Sequence, residues 1–212
     1  MIHIEKTHRF KGEQKLSFRE KKAAKKKEEI LRSAASVLDA KGFHRTTMED
    51  IASNLLMTKG SMYYYFKNKD DLLYQCHQMI MKISIERIEE AVHSPLTPTE
   101  KLKKAVKAHV ILSTSEKSMF MMMDKPNQNF SGDHLDHALK QRKEYANYFD
   151  VIINQGIEKG EFDPSIEIRT VRFIILGSLN WIMQWYREDG PQSGEQIAES
   201  FAAHLVRIVE KR

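Results

Sequence analysis

Apolar residues recur at spacings of three and four along almost the whole chain, and no stretch alternates with a period of two. Such a repeat places the apolar side chains on one face of each successive helix. Capping and helix-breaking residues, among them Thr97-Pro98 and Asp189-Gly190-Pro191, separate the helical segments. The pattern therefore predicts an all-α fold of about nine helices, and 212 residues with 41% hydrophobic content suffice for a sizeable core.

Positive charge is concentrated in the first third of the chain. Residues 1–70 contain 16 Lys and Arg against 9 Asp and Glu, a net charge of +7, whereas residues 71–212 contain 18 against 20, a net charge of −2. A basic segment of this kind is typical of contact with nucleic acid or an anionic surface, although a solvated basic tail has the same composition. The charge distribution therefore indicates where a nucleic-acid contact would lie.

Three short helical segments lie between Lys26 and Phe66, and only a few residues around Leu56 join the second to the third. This is the spacing of a helix-turn-helix motif, whose second helix enters the DNA major groove with its N-terminal residues against the base edges. That helix is predicted to begin after Thr58 and to place Met62 and Phe66 inward. Its polar first residues are therefore expected to face DNA.

Three consecutive tyrosines follow in the same helix. Tyr63 and Tyr65 are predicted to point mostly toward solvent, where a phenol hydroxyl can reach a phosphate while the ring packs on the helix. Tyr64 is ambiguous from the sequence, and we expect it to be partly buried.

The stretch TTMEDIA…TKGSMYYYFKNKDDLL closely resembles the DNA-binding domain of the TetR family of bacterial transcriptional regulators, and the match covers about Ile30 to Leu73. The resemblance implies that Thr47, at the start of the second helix, binds a phosphate. It implies further that the start of the third helix reads bases and that Tyr65 and Lys69 grip the DNA backbone. The candidate DNA-contacting residues are thus Thr47, Thr58, Lys59, Gly60, Ser61, Tyr63, Tyr65 and Lys69.

The sequence departs from the family pattern in the turn before the third helix. The usual alanine-glycine pair is replaced by Leu55-Leu56, and a leucine at positive φ costs about 1 kcal/mol or more. Either the turn has a different geometry or the strain is absorbed. A helical lipid-binding or interaction protein that does not recognise an operator is therefore the alternative function.

The chain divides into a basic, flexible arm at residues 1–25, a helix-turn-helix domain at residues 26–70 and a ligand-binding and dimerisation domain at residues 71–212. TetR-family proteins are homodimers joined through their last two helices, and the resemblance implies the same arrangement here. The segment TVRFIILGSLNWIMQWY agrees with it, because it is apolar almost all round and would leave a large patch in water on a monomer. The last helix offers the same bundle Ile197, Phe201, Leu205 and Ile208.

A small hydrophobic effector is expected to bind inside the C-terminal domain. Methionine and aromatic side chains adapt to elongated apolar ligands, although plain core packing explains any one of them as well. The segment GSLNWIMQWYREDGP also resembles regulators of fatty-acid or sterol breakdown that respond to acyl-CoA thioesters, so an acyl-CoA is one candidate among other hydrophobic molecules. The candidate lining residues are Phe120, Met122, Met123, Tyr145, Phe149, Ile153, Trp181 and Trp185.

The resemblance implies a two-state mechanism. A ligand in the cavity would tilt the long fourth helix and change the separation of the two recognition helices of a dimer. The predicted function is therefore that of a ligand-responsive transcriptional regulator, a repressor that releases its palindromic double-stranded operator DNA when the effector binds.

Other classes of function find no support in the sequence. It contains no G-x-S-x-G, no phosphate-cradling glycine loop and no H-E-x-x-H, so we expect no enzymatic activity, no cofactor and no metal. No apolar run approaches the roughly 18 residues of a membrane span, and the first residues lack the apolar centre of a secretory peptide. We therefore expect a cytoplasmic protein without a membrane contact.

Overall fold

The computed structural model describes residues 17–123 and 126–211, and every side chain among them except that of Met123. Within these ranges the chain forms ten α-helices. They are α1 (Phe18–Lys41), α2 (Met48–Asn54), α3 (Lys59–Tyr65), α4 (Lys69–His93), α5 (Pro98–Ser115), α6 (Lys117–Met123), α7 (Pro126–Asn129), α8 (Gly132–Glu158), α9 (Ile168–Trp185) and α10 (Gly194–Arg207). The all-α prediction is confirmed. The count rises from about nine to ten because the segment expected to be one short helical piece contributes to both α6 and α7.

Side-chain caps set the starts of the helices around the DNA-binding motif. Thr47 Oγ1 accepts the backbone N–H of Asp50 at 3.1 Å, and Asp50 Oδ2 accepts the N–H of Thr47 at 2.8 Å. Asn68 Oδ1 accepts the N–H of Asp71 at 2.8 Å at the start of α4. Each cap satisfies backbone donors that a helix start leaves unpaired, and the predicted starts of α2 and α4 are confirmed.

Helix α1 begins earlier than the sequence suggested. Ser17 and Glu20 form a capping box at its start, and twelve residues, 18–29, run as helix before Ile30, the first fully buried position. Residues 18–25 are therefore helical rather than part of a flexible arm, because lysine, alanine and glutamate favour helix and the capping box satisfies its first N–H groups. The rest of the predicted arm, residues 1–16, lies outside the described residues.

The helices enclose two apolar cores. The first is formed by α1, α2, α3 and the N-terminal half of α4, and it also contains Met119 and Phe120 of α6. The second is formed by the C-terminal half of α4 with α5, α8, α9 and α10. An ion pair between Arg32 and Glu116 lies next to the contact of α6 with α1. Helix α6 therefore joins the DNA-binding motif to the C-terminal helices.

In the part of the chain that the structure describes, no helix is long and apolar enough to cross a membrane.

Candidate DNA-binding surface and ligand cavity

The starts of α2 and α3 together present a polar surface to solvent. Its residues, which we name the recognition surface, are Thr47, Thr58, Lys59, Gly60, Ser61 and Tyr63, and all of them are exposed. Met62 and Phe66 lie on the opposite side of α3 and are buried in the first core. The inward and outward faces of α3 are thus the expected ones, and contact of the outward face with DNA stays a prediction.

Polar side chains of the recognition surface bond to one another and to α2. Thr58 Oγ1 accepts the N–H of Ser61 at 3.2 Å, and the two hydroxyl oxygens lie 2.9 Å apart. Lys59 forms an ion pair with Glu49, and its Nζ lies 5.9 Å from the centre of the Tyr63 ring. The hydrogen bond to Glu49, with its charge, raises the pKa of Lys59. A phosphate or a base that binds Lys59 therefore competes with Glu49 for its charge.

Lys69 has a structural role that its sequence position does not reveal. Its Nζ donates to the backbone carbonyls of Phe43 at 2.7 Å and Thr46 at 2.9 Å, and it lies 4.2 Å from the centre of the Phe43 ring. The ammonium group thereby holds the start of α4 against the loop between α1 and α2. Contact of Lys69 with the DNA backbone stays a prediction, although two of the three N–H groups of its ammonium are already bonded inside the domain.

The tyrosines differ from the expectation at two positions. Tyr64 is 81% exposed, whereas Tyr65 is half-buried against the first core. Helix geometry gives the reason, since each residue is rotated by about 100° from the last. Relative to the inward direction of Met62, Tyr65 is then rotated by about 60° and Tyr64 by about 160°. The partial burial expected of Tyr64 and the solvent-facing position expected of Tyr65 are therefore wrong.

The turn between α2 and α3 adopts the strained backbone. Leu56 has a φ of 53° and is 96% exposed. Its N–H donates to the carbonyl of Ser53 at 3.1 Å, and the N–H of Met57 donates to the carbonyl of Ala52 at 2.8 Å. These two bonds form a Schellman motif, which glycine usually completes. These hydrogen bonds stabilise the turn despite the backbone strain at Leu56. The leucine pair therefore does not argue against a helix-turn-helix motif.

A cavity of about 420 Å³ lies between α4, α5, α6, α8 and α9. Its apolar wall includes Met81, Phe120, Ala146, Leu176 and Met183. Its charged residues are all cationic: Arg142 and Lys143 are exposed, and Arg172 forms an ion pair with Asp150. Burial raises the pKa of Asp150 despite this pair. The cavity therefore joins an apolar interior to a cationic mouth.

His109 and Tyr145 form a hydrogen-bonded pair in the interior of the cavity. The hydroxyl oxygen of Tyr145 lies 3.0 Å from Nδ1 of His109, and the ring of Phe120 stands at an angle to the imidazole with the ring centres 5.5 Å apart. Burial lowers the pKa of His109 to about 4 and raises the pKa of Tyr145, so both groups are neutral at pH 7. Nε2 of His109 has no partner among the described residues.

Only part of the predicted lining is found around this cavity. Phe120 and Tyr145 line it, whereas Met122, Phe149 and Ile153 are buried elsewhere in the two cores. The side chain of Met123 lies outside the described residues. The cationic residues of the cavity were not predicted, although Arg172, inside the apolar segment TVRFIILG, was an available signal.

The prediction that Trp181 and Trp185 line the cavity is wrong, because both lie on the outer face of α9. They are 65% and 44% exposed, and Phe173 and Ile174 are exposed as well. Helix α10 differs from the expectation too. Its Ile197 and Leu205 are already buried within the same protomer in the second core, where α10 packs against α5. The unpaired apolar surface of the last two helices therefore belongs mainly to α9.

Comparison with known proteins matches both halves of the chain. Residues 30–76 match the family model described as bacterial regulatory proteins, tetR family, and residues 95–209 match that of the tetracyclin repressor-like C-terminal domain. The fatty acid metabolism regulator protein of Bacillus subtilis (strain 168) is 26% identical over 166 residues, which cover 76% of this chain and 86% of that protein. The HTH-type transcriptional repressor KstR2 of Mycobacterium tuberculosis (strain CDC 1551 / Oshkosh) is 25% identical over 185 residues, which cover 86% of this chain and 92% of the repressor.

A solved structure is similar over most of the chain. The crystal structure of AibR in complex with isovaleryl coenzyme A and operator DNA is 25% identical in sequence and superposes with a TM-score of 0.74. The match covers 85% of this chain and 97% of the AibR chain.

Proposed function

Because the chain belongs to the TetR family of bacterial transcriptional regulators, we propose that it is a repressor that releases a palindromic operator when an acyl-CoA thioester occupies its cavity. The observation that carries the proposal is the cavity itself, which is apolar inside, cationic at its mouth and walled partly by α6, a helix of the first core. A regulator of this kind acts on the chromosome, and we therefore place it in the cytoplasm.

Gly60 supports a DNA contact through the recognition surface. A Cβ atom at this position would meet only Thr58 Oγ1 at 4.0 Å, and the backbone φ does not require glycine. A glycine within a helix costs about 1 kcal/mol relative to alanine. The described residues therefore give no steric reason for glycine at position 60. The absence of a side chain would instead let another molecule approach the helix closely, such as the base edges in the major groove.

Matched lysine variants test the DNA contact. Lys59 and Lys82 are both exposed and paired with a glutamate, but only Lys59 belongs to the recognition surface. We expect Lys59→Ala to weaken binding to palindromic DNA selected by the protein from a random library, and to reduce the slope of log K against log salt by about 0.9. Lys82→Ala should leave both unchanged. Fluorescence anisotropy measures both quantities, and equal behaviour of the two variants would exclude this surface.

The apolar acyl chain of an acyl-CoA matches the interior of the cavity, and its anionic coenzyme A matches the cationic mouth. The acyl chain would pack on apolar groups such as Met81 and Phe120, and the phosphates of coenzyme A would meet Arg142 and Lys143 at the mouth. AibR, whose solved structure contains isovaleryl coenzyme A and operator DNA, supports this class of ligand.

Two sets of contacts connect the cavity with the DNA-binding motif. Phe120 lines the cavity and belongs to the first core, so a ligand that displaces its ring would move α6 against α1. Helix α8 lines the cavity and also holds α4. The hydroxyl of Tyr74 bonds Nδ1 of His137 at 2.6 Å, and Gln78 and Gln141 exchange two amide hydrogen bonds. Either route would reorient the recognition helix relative to its counterpart in a dimer.

A second copy of the chain is the proposed partner of the outer face of α9. Three exposed apolar side chains, those of Ile174, Trp181 and Trp185, lie within about 40° of one another around the axis of α9. Monomeric proteins seldom leave such a patch in water. A palindromic operator also requires two recognition helices related by a two-fold axis. We therefore place the dimer interface on α9, with the exposed face of α10 beside it. Trp181→Glu should yield monomers in analytical ultracentrifugation, whereas Lys82→Glu should leave the dimer intact.

Release of DNA by defined thioesters tests the effector. Titration of isovaleryl-CoA or octanoyl-CoA into the protein–DNA complex should lower the fluorescence anisotropy of labelled DNA. Free coenzyme A is the control, since it keeps the phosphates but lacks the acyl chain. If neither thioester released DNA at concentrations where free coenzyme A is also inactive, an acyl-CoA effector would be excluded.

A further inference from the structure

The interior of the cavity contains a hydrogen-bonding nitrogen that the described residues leave unused. His109 is 4% exposed, and its Nε2 has no partner among them, while Nδ1 on the other side of the ring is bonded to Tyr145. Native proteins rarely leave a buried polar atom unsatisfied, because the atom loses its hydration without compensation. His109 lines the cavity, but its Nε2 has almost no surface that solvent can reach, so a ligand supplies the missing partner only when it shifts a neighbouring ring such as that of Phe120.

The contact with Tyr145 determines which ring nitrogen carries the proton. If the tyrosine hydroxyl donates to Nδ1, the neutral ring carries its proton on Nε2, and this single N–H lacks a partner. If Nδ1 donates instead, the Nε2 lone pair and the tyrosine proton both lack partners. The first arrangement leaves fewer groups unsatisfied, so Nε2 of His109 is a donor. The lowered pKa keeps this donor uncharged, which suits a neutral acceptor oxygen.

The polar groups that line the cavity lie at different depths. His109 is buried, whereas Arg142 and Lys143 are exposed at the mouth. Ser84 also lines the cavity, but its hydroxyl already donates to the carbonyl of Ile80 at 2.8 Å. A ligand that satisfies both ends therefore carries anionic groups outside and a neutral oxygen inside.

We propose that Nε2 of His109 donates a hydrogen bond to the thioester carbonyl oxygen of the effector. His109 then distinguishes an acyl thioester from an otherwise identical chain without that oxygen, whose binding would bury the N–H without a partner. The inference rests on the proposed acyl-CoA effector and assigns the contact of one of its atoms.

Pairs of ligands that differ only in the carbonyl test the inference directly. Octanoyl-CoA and S-octyl-CoA form one pair, and isovaleryl-CoA and S-(3-methylbutyl)-CoA form the other. Isothermal titration calorimetry on the wild-type protein should show about ten- to hundredfold tighter binding of the thioester in the pair that fits the cavity. This comparison needs no variant, so it stands even where a substitution at His109 prevents folding.

Variants then assign the preference to a residue. His109→Phe removes the donor at similar size and should reduce the thioester preference to less than about threefold. His93→Phe makes the same substitution at an exposed position outside the cavity lining and should leave the preference unchanged. A thioester preference that survives in His109→Phe would overturn the assignment.

The outcomes separate this inference from the function on which it rests. Equal binding of thioester and thioether to the wild-type protein would overturn the role of His109 and leave the acyl-CoA effector intact. Binding of neither member of either pair would overturn the effector class and this inference together.

Discussion

The recognition surface and the cavity place their functional side chains in opposite environments. Lys59 and Tyr63 are exposed and contribute little to the core, whereas Phe120 and His109 are buried and fill the core as well as the cavity wall. Substitution of Lys59 or Tyr63 should therefore change DNA binding without changing stability, while a substitution in the cavity should change both. Burial of a side chain, rather than its position in a functional site, therefore decides whether its substitution can change function without changing stability.

The largest expected effect belongs to Phe120→Ala. This substitution removes a buried ring that belongs to the first core and the cavity wall, and it should lower the free energy of unfolding by about 3–5 kcal/mol. Tyr64→Ala, which removes a mostly exposed ring, should change it by less than about 0.5 kcal/mol. Urea denaturation followed by circular dichroism measures both. Similar losses of unfolding free energy in the two variants would contradict the expected difference between a buried and an exposed ring.

Lys69→Ala tests a half-buried residue at the border of the DNA-binding motif, between the exposed and the buried side chains. Loss of the ammonium leaves the carbonyls of Phe43 and Thr46 without their donor, and the free energy of unfolding should fall by about 1.5–3 kcal/mol. Lys67→Ala, an exposed neighbour, should change it by less than about 0.5 kcal/mol. An unaltered denaturation midpoint in Lys69→Ala, together with weaker DNA binding, would favour the phosphate contact that its sequence position suggested.

Acid should destabilise the protein through two buried histidines, His109 in the cavity and His77 against Phe130 of the first core. Burial lowers the pKa of His77 and of His109 from 6.5 to about 4, so the unfolded chain binds more protons than the folded protein between these values. Their stabilisation is complete above about pH 6.5 and should be lost by about 1 kcal/mol per pH unit for each histidine as the pH falls toward 4. Urea denaturation at several pH values measures the slope. His109→Phe should remove about half of the slope, because His77 keeps its own contribution. An unchanged slope in that variant would contradict the buried, neutral state of His109.

Leu56→Gly should give the smallest effect, and in the stabilising direction. The leucine is almost fully exposed at positive φ, so glycine relieves strain without loss of packing and should raise the free energy of unfolding by about 1 kcal/mol. Leu55→Gly is the matched control, because Leu55 has a φ of −89° and packs on the first core. It should destabilise the protein. A loss of stability in Leu56→Gly would show that its side chain has an unseen contact.

Local signals predicted the DNA-binding motif in detail and the cavity only in part. Thr47 and Thr58 are caps whose partners lie three residues away, so both helix starts could be read from the chain. The tyrosine assignments needed only the rotation between successive helical residues, and applying it would have separated Tyr64 from Tyr65. Lys69 could not be assigned in this way, because its carbonyl partners lie more than twenty residues away in the sequence.

The sequence by itself determined most of the helices, the starts of α2, α3 and α4, and the character of the recognition surface, since hydrophobic periodicity, caps and charge act between residues close together in the chain. Only the tertiary structure decided which faces of α8 and α9 meet around a cavity, and hence that Arg142, Lys143 and Arg172 form its mouth while Trp181 and Trp185 lie outside it. The reason is that an apolar helix shows which residues avoid water, but the rotation of each helix against its neighbours is set by how all of them pack together.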